Sequence, residues 1–329
     1  MSFRGLLTER AADGSTVSSV VQLTDTQLPN GAVTVDIDWA GFNYKDALCL
    51  TGRGGLVRTY PHVAGVDFAG TVRASADPRY ATGDLVVLTG WRVGETHWGG
   101  YAERARVHAD WLVPLPLGLT PRHAMILGTA GLTAMLAIDR LEAAGMKPAA
   151  GDVLVTGAAG GVGSIAVSLL ATLGYRIVAL SGRPEHAATL KALGATEVLD
   201  RATFLAEPDK PLESARYAAA IDTVGGAVLG KLLKQIAYDG AVTAIGNAAG
   251  ITLETTVLPF ILRGISLIGI DSVMQPYARR ITAWERLAAL FDFAIYADLV
   301  EEIDLEELPR AAERILAGQV KGRIIVQPA

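Results

Sequence analysis

Four glycines crowd the segment VLVTGAAGGVGSIAV, at positions 157, 160, 161 and 163, with apolar residues on either side. The residues before them read as a strand. Those after read as a helix, SIAVSLLATLG, stopped by Gly174. Glycine permits the dihedrals of such a turn and lets a ligand come close to the backbone. A helix start adds free N–H groups and the positive end of its dipole, so Ala159, Gly160, Gly161 and Val162 form a candidate cradle for a pyrophosphate. No Lys stands where a triphosphate-binding loop needs one, which argues against ATP-type chemistry.

The next strand, YRIVAL, runs into Ser181, Gly182 and Arg183. An acid at this strand end would bond the ribose hydroxyls of NAD and repel a 2′-phosphate. Here the loop offers a hydroxyl, an open glycine and a fork of donors instead. That chemistry suits NADPH. Arg201, just after EVLD, is a second candidate for the phosphate.

These residues need a scaffold. From Asp152 onward strands and helices alternate: VLVTG, YRIVAL, EVL, AAAIDTV, AVTAIG and ISLIGI read as strands. Alternation of this kind predicts a parallel sheet covered on both faces, an α/β doubly wound Rossmann arrangement. Residues up to about Leu119 differ. Short β-like runs (AVTVDIDWA, FAGTVRA, DLVVLTG) are broken by Gly, Pro and Asp, as in a compact β-rich domain. Thr120-Pro121 then opens a helix expected to run toward Leu141. A helix is expected near 282–294, and GRIIVQP at the end reads as a strand that returns to the first domain. The expected division is 1–122 with 295–329 for the β-rich domain and 123–294 for the nucleotide domain.

Composition narrows the field. The chain has 329 residues, a formal net charge of −5 and no run of Lys or Arg, which argues against nucleic acid as the main partner. Cys49 is its only cysteine, so intrachain disulfides are excluded and a cytoplasmic setting is expected. MSFRGLLTER lacks the apolar core of a signal peptide. The uncharged run Val153–Tyr175 has the length of a membrane span, but its glycines divide it into a strand and a helix, and no membrane partner is expected.

TGAAGGVG also fits the opening motif of short-chain dehydrogenases, yet none of Tyr175, Tyr217, Tyr238, Tyr277 or Tyr296 has Lys four positions later. The order of domains, with NYKDAL (43–48), HVAGVDFAG (62–70), GTAGLTA (128–134) and TGAAGGVG, instead resembles the medium-chain dehydrogenase/reductase superfamily. Its first domain is GroES-like. Zinc members carry Gly-His-Glu where this chain has Gly65-Val66-Asp67, and they have cysteine ligands that are missing here, so no metal is expected. NYKDAL, ALSGR, TTVLPFILRGISLIGIDSV (255–273) and GQVKGR (318–323) resemble the zinc-free, quinone-oxidoreductase-like branch, nearest its acryloyl-CoA reductases.

That resemblance implies NADPH-dependent reduction of acryloyl-CoA to propanoyl-CoA by a homodimer paired through ISLIGI. It places Tyr44, Ala159–Val162, Ser181–Arg183, Arg201, Asn247, Ile261, Ser272 and Arg323 at cofactor-contacting positions. Asn247 departs from the apolar residue expected there. Tyr44 is the first candidate donor to an enolate oxygen, with Lys45 lowering its pKa, and Arg323 is the second catalytic candidate. Asp46 reads as an anchor for the loop. Arg53, Arg58, Arg263, Arg279 and Arg280 are candidate partners for the phosphates of coenzyme A. A quinone or enone reductase and a non-catalytic NADPH sensor are the other readings on this fold.

Overall fold

The computed structural model describes residues 2–207 and 210–329. The chain divides into two compact units. One holds the residues up to Thr129 with Ser272–Ala288 and Leu299–Ala329; the other holds Ala130–Asp271 and Ala289–Asp298.

The first unit is β-rich. It contains β1 (Ser2–Arg10), β2 (Thr16–Thr24), β3 (Val33–Phe42), β4 (His62–Val63), β5 (Asp67–Ser75), β6 (Leu85–Thr89), β7 (Arg104–Val107) and β8 (Leu112–Pro114). In β3, Val33, Val35 and Ile37 point into the core while Thr34, Asp36 and Asp38 do not, the period of two expected of a half-buried strand. One residue after β3, α1 (Tyr44–Leu50) begins. Its N-cap Asn43 and Asp46 form a reciprocal capping box, the Asp46 carboxylate accepting from the Asn43 N–H at 2.8 Å.

The helix after Thr120 is α2 (Pro121–Ala143), and the Thr120 hydroxyl accepts from the His123 N–H at 3.2 Å. It is not continuous as expected. Gly128 breaks it at φ 51°, ψ −150°, a conformation open to glycine and costly for other residues. Among the described residues α2 is the one helix long and apolar enough to cross a membrane, and 83% of its most apolar window is buried inside the protein. The uncharged run at 153–175 is a strand followed by a helix.

The second unit carries β9 (Asp152–Thr156), α3 (Gly161–Thr172), β10 (Arg176–Ser181), α4 (Ala187–Ala192), β11 (Glu197–Asp200), α5 (Arg201–Ala206), β12 (Tyr217–Asp222), α6 (Gly226–Leu233), β13 (Ile236–Ala244), α7 (Leu258–Arg263) and β14 (Ser266–Gly269). The six strands are parallel in the order β11-β10-β9-β12-β13-β14. Strand order reverses between β9 and β12, and such folds bind ligands outside the strand C-termini at that point. Leu154, Val178, Leu180, Ala220 and Val242 lie in the buried cluster that holds the sheet to its helices.

The tail contributes α8 (Tyr277–Leu290), α9 (Phe293–Tyr296), β15 (Val300–Ile303), α10 (Leu308–Leu316) and β16 (Arg323–Val326). β16 lies between β15 and β3, with Ile324 opposite Phe42. Residues 272–288, drawn with the nucleotide domain from sequence, group with the first unit. Arg280 supplies a physical reason. Its buried guanidinium donates to the carbonyls of Ser272, Val273 and Gln275 and to both oxygens of Thr89, tying this segment to the end of β6.

Candidate functional site

In the second unit the glycine turn joins β9 to α3, with Gly160 as N-cap. The first-turn N–H groups of α3, at Gly161, Val162 and Gly163, have no acceptor within the helix. Gly163 is required by packing, because a Cβ there would stand 2.3 Å from the Gly157 carbonyl oxygen. At Gly160 the nearest atom to such a Cβ is the Gly157 oxygen at 3.3 Å, a closer fit than an ordinary contact but looser than at Gly163.

The parallel register of β10 on β11 sets Ser181 opposite Asp200. The next residues, Gly182 and Arg201, therefore meet. A Cβ on Gly182 would lie 2.8 Å from the Arg201 guanidinium carbon, so Arg201 occupies the space that a side chain would take. Ser181 is buried, and its hydroxyl accepts from the Arg183 N–H at 3.1 Å. It shapes the loop that carries Arg183 as well as offering an oxygen. Arg201 is exposed and Arg183 half-buried. The Arg201 guanidinium beside Gly182, with Arg183 next in the chain and no carboxylate among residues 181–183, suits a doubly charged phosphate.

The ends of β9 and β12 are cross-tied by Thr156, Asp222, Thr223 and Gly225. The Thr156 hydroxyl donates to Asp222 at 2.6 Å, the Gly225 N–H to the other Asp222 oxygen at 2.8 Å, and the Thr223 hydroxyl to the Thr156 carbonyl at 2.8 Å. Burial raises the Asp222 carboxyl above its ordinary value, opposed by those hydrogen bonds. Asn247 is exposed in the loop after β13, and Ile261 is exposed on α7.

In the first unit Tyr44, 47% exposed, opens α1 beside a buried polar cluster. The Asn43 side-chain amide donates to Asp46 at 3.2 Å and to Asp67 at 3.0 Å, while its oxygen accepts from Arg323 Nη1 at 3.0 Å. Asp46 also accepts from the Val66 N–H at 2.8 Å, and Asp67 from the Thr129 N–H at 2.6 Å, just past the break in α2. Arg323 Nε donates to the Ile126 carbonyl at 3.1 Å; its Nη2 is buried without a hydrogen-bond partner. Burial, and next the neighbouring Asp67 charge, push the Asp46 carboxyl up to about 7. Burial likewise holds the Tyr101 phenol well above its ordinary value.

The expected residues thus form two groups. Tyr44 and Arg323 lie in the first unit, with Ser272 on the segment held by Arg280. The turn, the loop, Arg201, Asn247 and Ile261 lie in the second. Asp46 does anchor the loop. Lys45, the candidate neighbour of the Tyr44 phenol, has its ammonium paired with Glu95 at 3.0 Å. Two of the arginines offered for coenzyme A phosphates are corrected. Arg280 is enclosed by carbonyls and lies 4.7 Å from the Trp91 ring centroid, and Arg263 is buried against the carbonyls of Lys234, Ile236 and Glu213. Arg53, Arg58 and Arg279 are exposed. Asn43 and Asp67 were missed as members of one cluster. The available signal was an acid in the apolar run HVAGVDFAG.

Comparison with known proteins agrees with this architecture. The alcohol dehydrogenase GroES-like domain family matches residues 29–117, and the zinc-binding dehydrogenase family matches 161–290. Among the described residues no group of three or more His, Cys, Asp or Glu could hold a metal ion. The chain is 53% identical to the acrylyl-CoA reductase AcuI of Ruegeria pomeroyi over 98% of both chains. It is 54% identical to the probable acrylyl-CoA reductase AcuI of Escherichia coli, over 96% of this chain and 97% of that one. The yhdH oxidoreductase of Salmonella enterica, solved in complex with NADP, superimposes with a TM-score of 0.96 at 53% identity over 99% of both chains. The yhfP protein of Bacillus subtilis, solved with NAD bound, gives 0.95 at 44% identity, also over 99% of both chains. With these full-length likenesses behind it, the chain belongs to the medium-chain dehydrogenase/reductase superfamily, in the branch of the acrylyl-CoA reductases AcuI and YhdH.

Proposed function

We propose that the protein is an NADPH-dependent acryloyl-CoA reductase that converts the conjugated double bond to the saturated propanoyl thioester. The observation carrying this reading is the full-length identity to the acrylyl-CoA reductase of Ruegeria pomeroyi. The second unit fits the nucleotide on its own evidence: open first-turn amides on α3 for the pyrophosphate, and Arg183 and Arg201 around Gly182 for the 2′-phosphate. NADPH, when bound, supplies the hydride.

The substrate's β-carbon accepts that hydride, the thioester oxygen takes up the resulting negative charge as an enolate, and a proton then adds at the α-carbon. The protein's part is to donate hydrogen bonds to the enolate oxygen. Tyr44 is the proposed donor, its phenol exposed on the first residue of α1. Arg323 holds that helix start through Asn43. Asn247, Ile261 and Ser272 are assigned to cofactor contact by the resemblance.

β14 lies at an edge of its sheet, and Val257, Ile261 and Leu262 beside it are exposed. We assign this edge to a homodimer joined through paired β14 strands, and the enzyme to the cytoplasm.

The test is a substrate panel with purified protein. NADPH oxidation is expected to be much faster with acryloyl-CoA than with a simple quinone. Turnover of quinones with none of acryloyl-CoA would overturn the assignment in favour of a quinone reductase. Tight NADPH binding with no acceptor turned over would mark a sensor.

A further inference from the structure

Two buried hydroxyls meet behind the glycine turn in the second unit. The Ser164 hydroxyl lies 2.7 Å from the Gly160 carbonyl oxygen, and 2.7 Å from the phenol oxygen of Tyr296. Ser164 and Tyr296 are both almost wholly inaccessible to solvent. With the single Ser164 proton on the Gly160 carbonyl, the phenol donates to Ser164. The chain of donation therefore runs from Tyr296 to Ser164 to Gly160.

Its end point matters. The carbonyl of Gly160 and the N–H of Gly161 belong to one planar peptide and point in opposite directions. The Gly160 oxygen also accepts the Ser164 N–H at 2.9 Å, and holding it inward aims the Gly161 N–H outward, at the first turn of α3. The Ser164 hydroxyl adds a second donor to that oxygen and so reduces the partial negative charge near a pyrophosphate. Tyr296 itself is fixed from behind. Its ring packs 5.1 Å from that of Phe291, and α9 is capped by Asp292, which accepts from the Ala294 N–H at 2.9 Å.

We propose that Tyr296 is a positioning residue for dinucleotide binding, acting through Ser164 on the peptide that faces the pyrophosphate. This rests on the nucleotide assignment above. The pyrophosphate is common to NADPH and NADH, so the relay serves both. That separates it from Arg183 and Arg201, which meet only the 2′-phosphate.

The test is Tyr296→Phe, which keeps the ring and removes one oxygen, with Ser164→Ala as a second variant. Dissociation constants for NADPH and NADH are read from nucleotide fluorescence, with Tm measured alongside. Loss of one buried hydrogen bond predicts a rise of about three- to tenfold in both constants, by the same factor. The KM for NADPH should rise in step while kcat at saturating NADPH stays unchanged, and Ser164→Ala should cost at least as much. Unchanged affinities with a lowered Tm overturn the relay and leave Tyr296 a packing residue. Weaker binding of NADPH alone overturns it too. Wild-type protein that bound neither nucleotide would overturn the cofactor reading and the relay together.

Discussion

Gly182 provides the sharpest perturbation of cofactor choice, because a single methyl group would reach Arg201, the proposed phosphate partner, without touching the core. An added Cβ stands 2.8 Å from Cζ and Nη2 of Arg201 and 2.9 Å from Nε, all inside van der Waals contact. The obstructing atoms are the far end of a flexible, exposed side chain, so the strain is relieved by Arg201 swinging away. Stability should therefore change little, with the Tm of Gly182→Ala within a degree or two of wild type. The loss falls on the ligand. A charge-assisted hydrogen bond contributes about 1.5–3 kcal/mol, or roughly 10–150-fold in affinity, and Gly182→Ala should forfeit a part of it, on the order of three- to tenfold for NADPH. NADH has no 2′-phosphate and should bind as before. The assay is fluorescence titration of both nucleotides with Gly182→Ala, Arg201→Ala and the double variant. If Gly182 acts through Arg201, the two losses are not additive, and the methyl costs almost nothing once the arginine is gone. Full additivity, or equal loss for NADH, refutes the placement of Arg201 as a phosphate partner.

Arg183→Ala should weaken NADPH binding by roughly 10–150-fold with a far smaller effect on NADH, read in the same titration; equal losses would mean that Arg183 only supports its loop. Arg280→Met should destabilise the protein by more than about 3 kcal/mol, since it strands buried carbonyls at Thr89, Ser272 and Val273; chemical denaturation checks this, and a cost below about 1 kcal/mol would remove the cage's structural role. Asp46 has a raised carboxyl pKa, about 7 against an ordinary 3.8, so the folded state binds the extra proton in that window. Its stabilising contribution is full below about pH 4 and is lost as the pH rises to about 7. The Tm difference between wild type and Asp46→Asn should therefore shift against wild type across that range, and a pH-independent difference would refute the raised value.

Much of this was readable from sequence because it is local. A turn of four glycines between a strand and a helix carries its own geometry, and the missing acid at Ser181–Arg183 is a statement about three adjacent residues. The strand pattern of the Rossmann unit is likewise local, repeated at each step of the alternation. What failed was set by distant partners. Gly128 sits in an apolar run that reads as unbroken helix, and the break is stabilised by Asp67, 62 residues away, which accepts from the Thr129 N–H. Arg280 and Arg263 look like ordinary surface cations in sequence. Only the fold shows that carbonyls enclose them, the Thr89 oxygen lying 191 positions from Arg280. The proximity of Arg201 to Gly182 was open for the same reason, since it needs the register of β10 on β11.

The cluster at Asn43 shows why such distant ties are kept despite their cost. Burying two carboxylates and a guanidinium is expensive, and an apolar core of the same volume would be at least as stable. Each member instead satisfies a group on another segment. Asp46 binds the N–H groups of Asn43 and Val66, Asp67 binds that of Thr129, and Arg323 joins Asn43 to the Ile126 carbonyl. The antiparallel register of β16 on β3, Ile324 opposite Phe42, delivers Arg323 to that position. Removing one member strands the others in a site closed to water, so the arrangement admits one geometry and penalises its neighbours. The residue directly after the hub is Tyr44. A phenol that must meet a developing enolate oxygen gains from a fixed starting point, because a misplacement near 1 Å at a reacting group costs on the order of a hundredfold in rate. On the role proposed for Tyr44, the buried acids act on the chemistry through its position, and their own contact with substrate is not required.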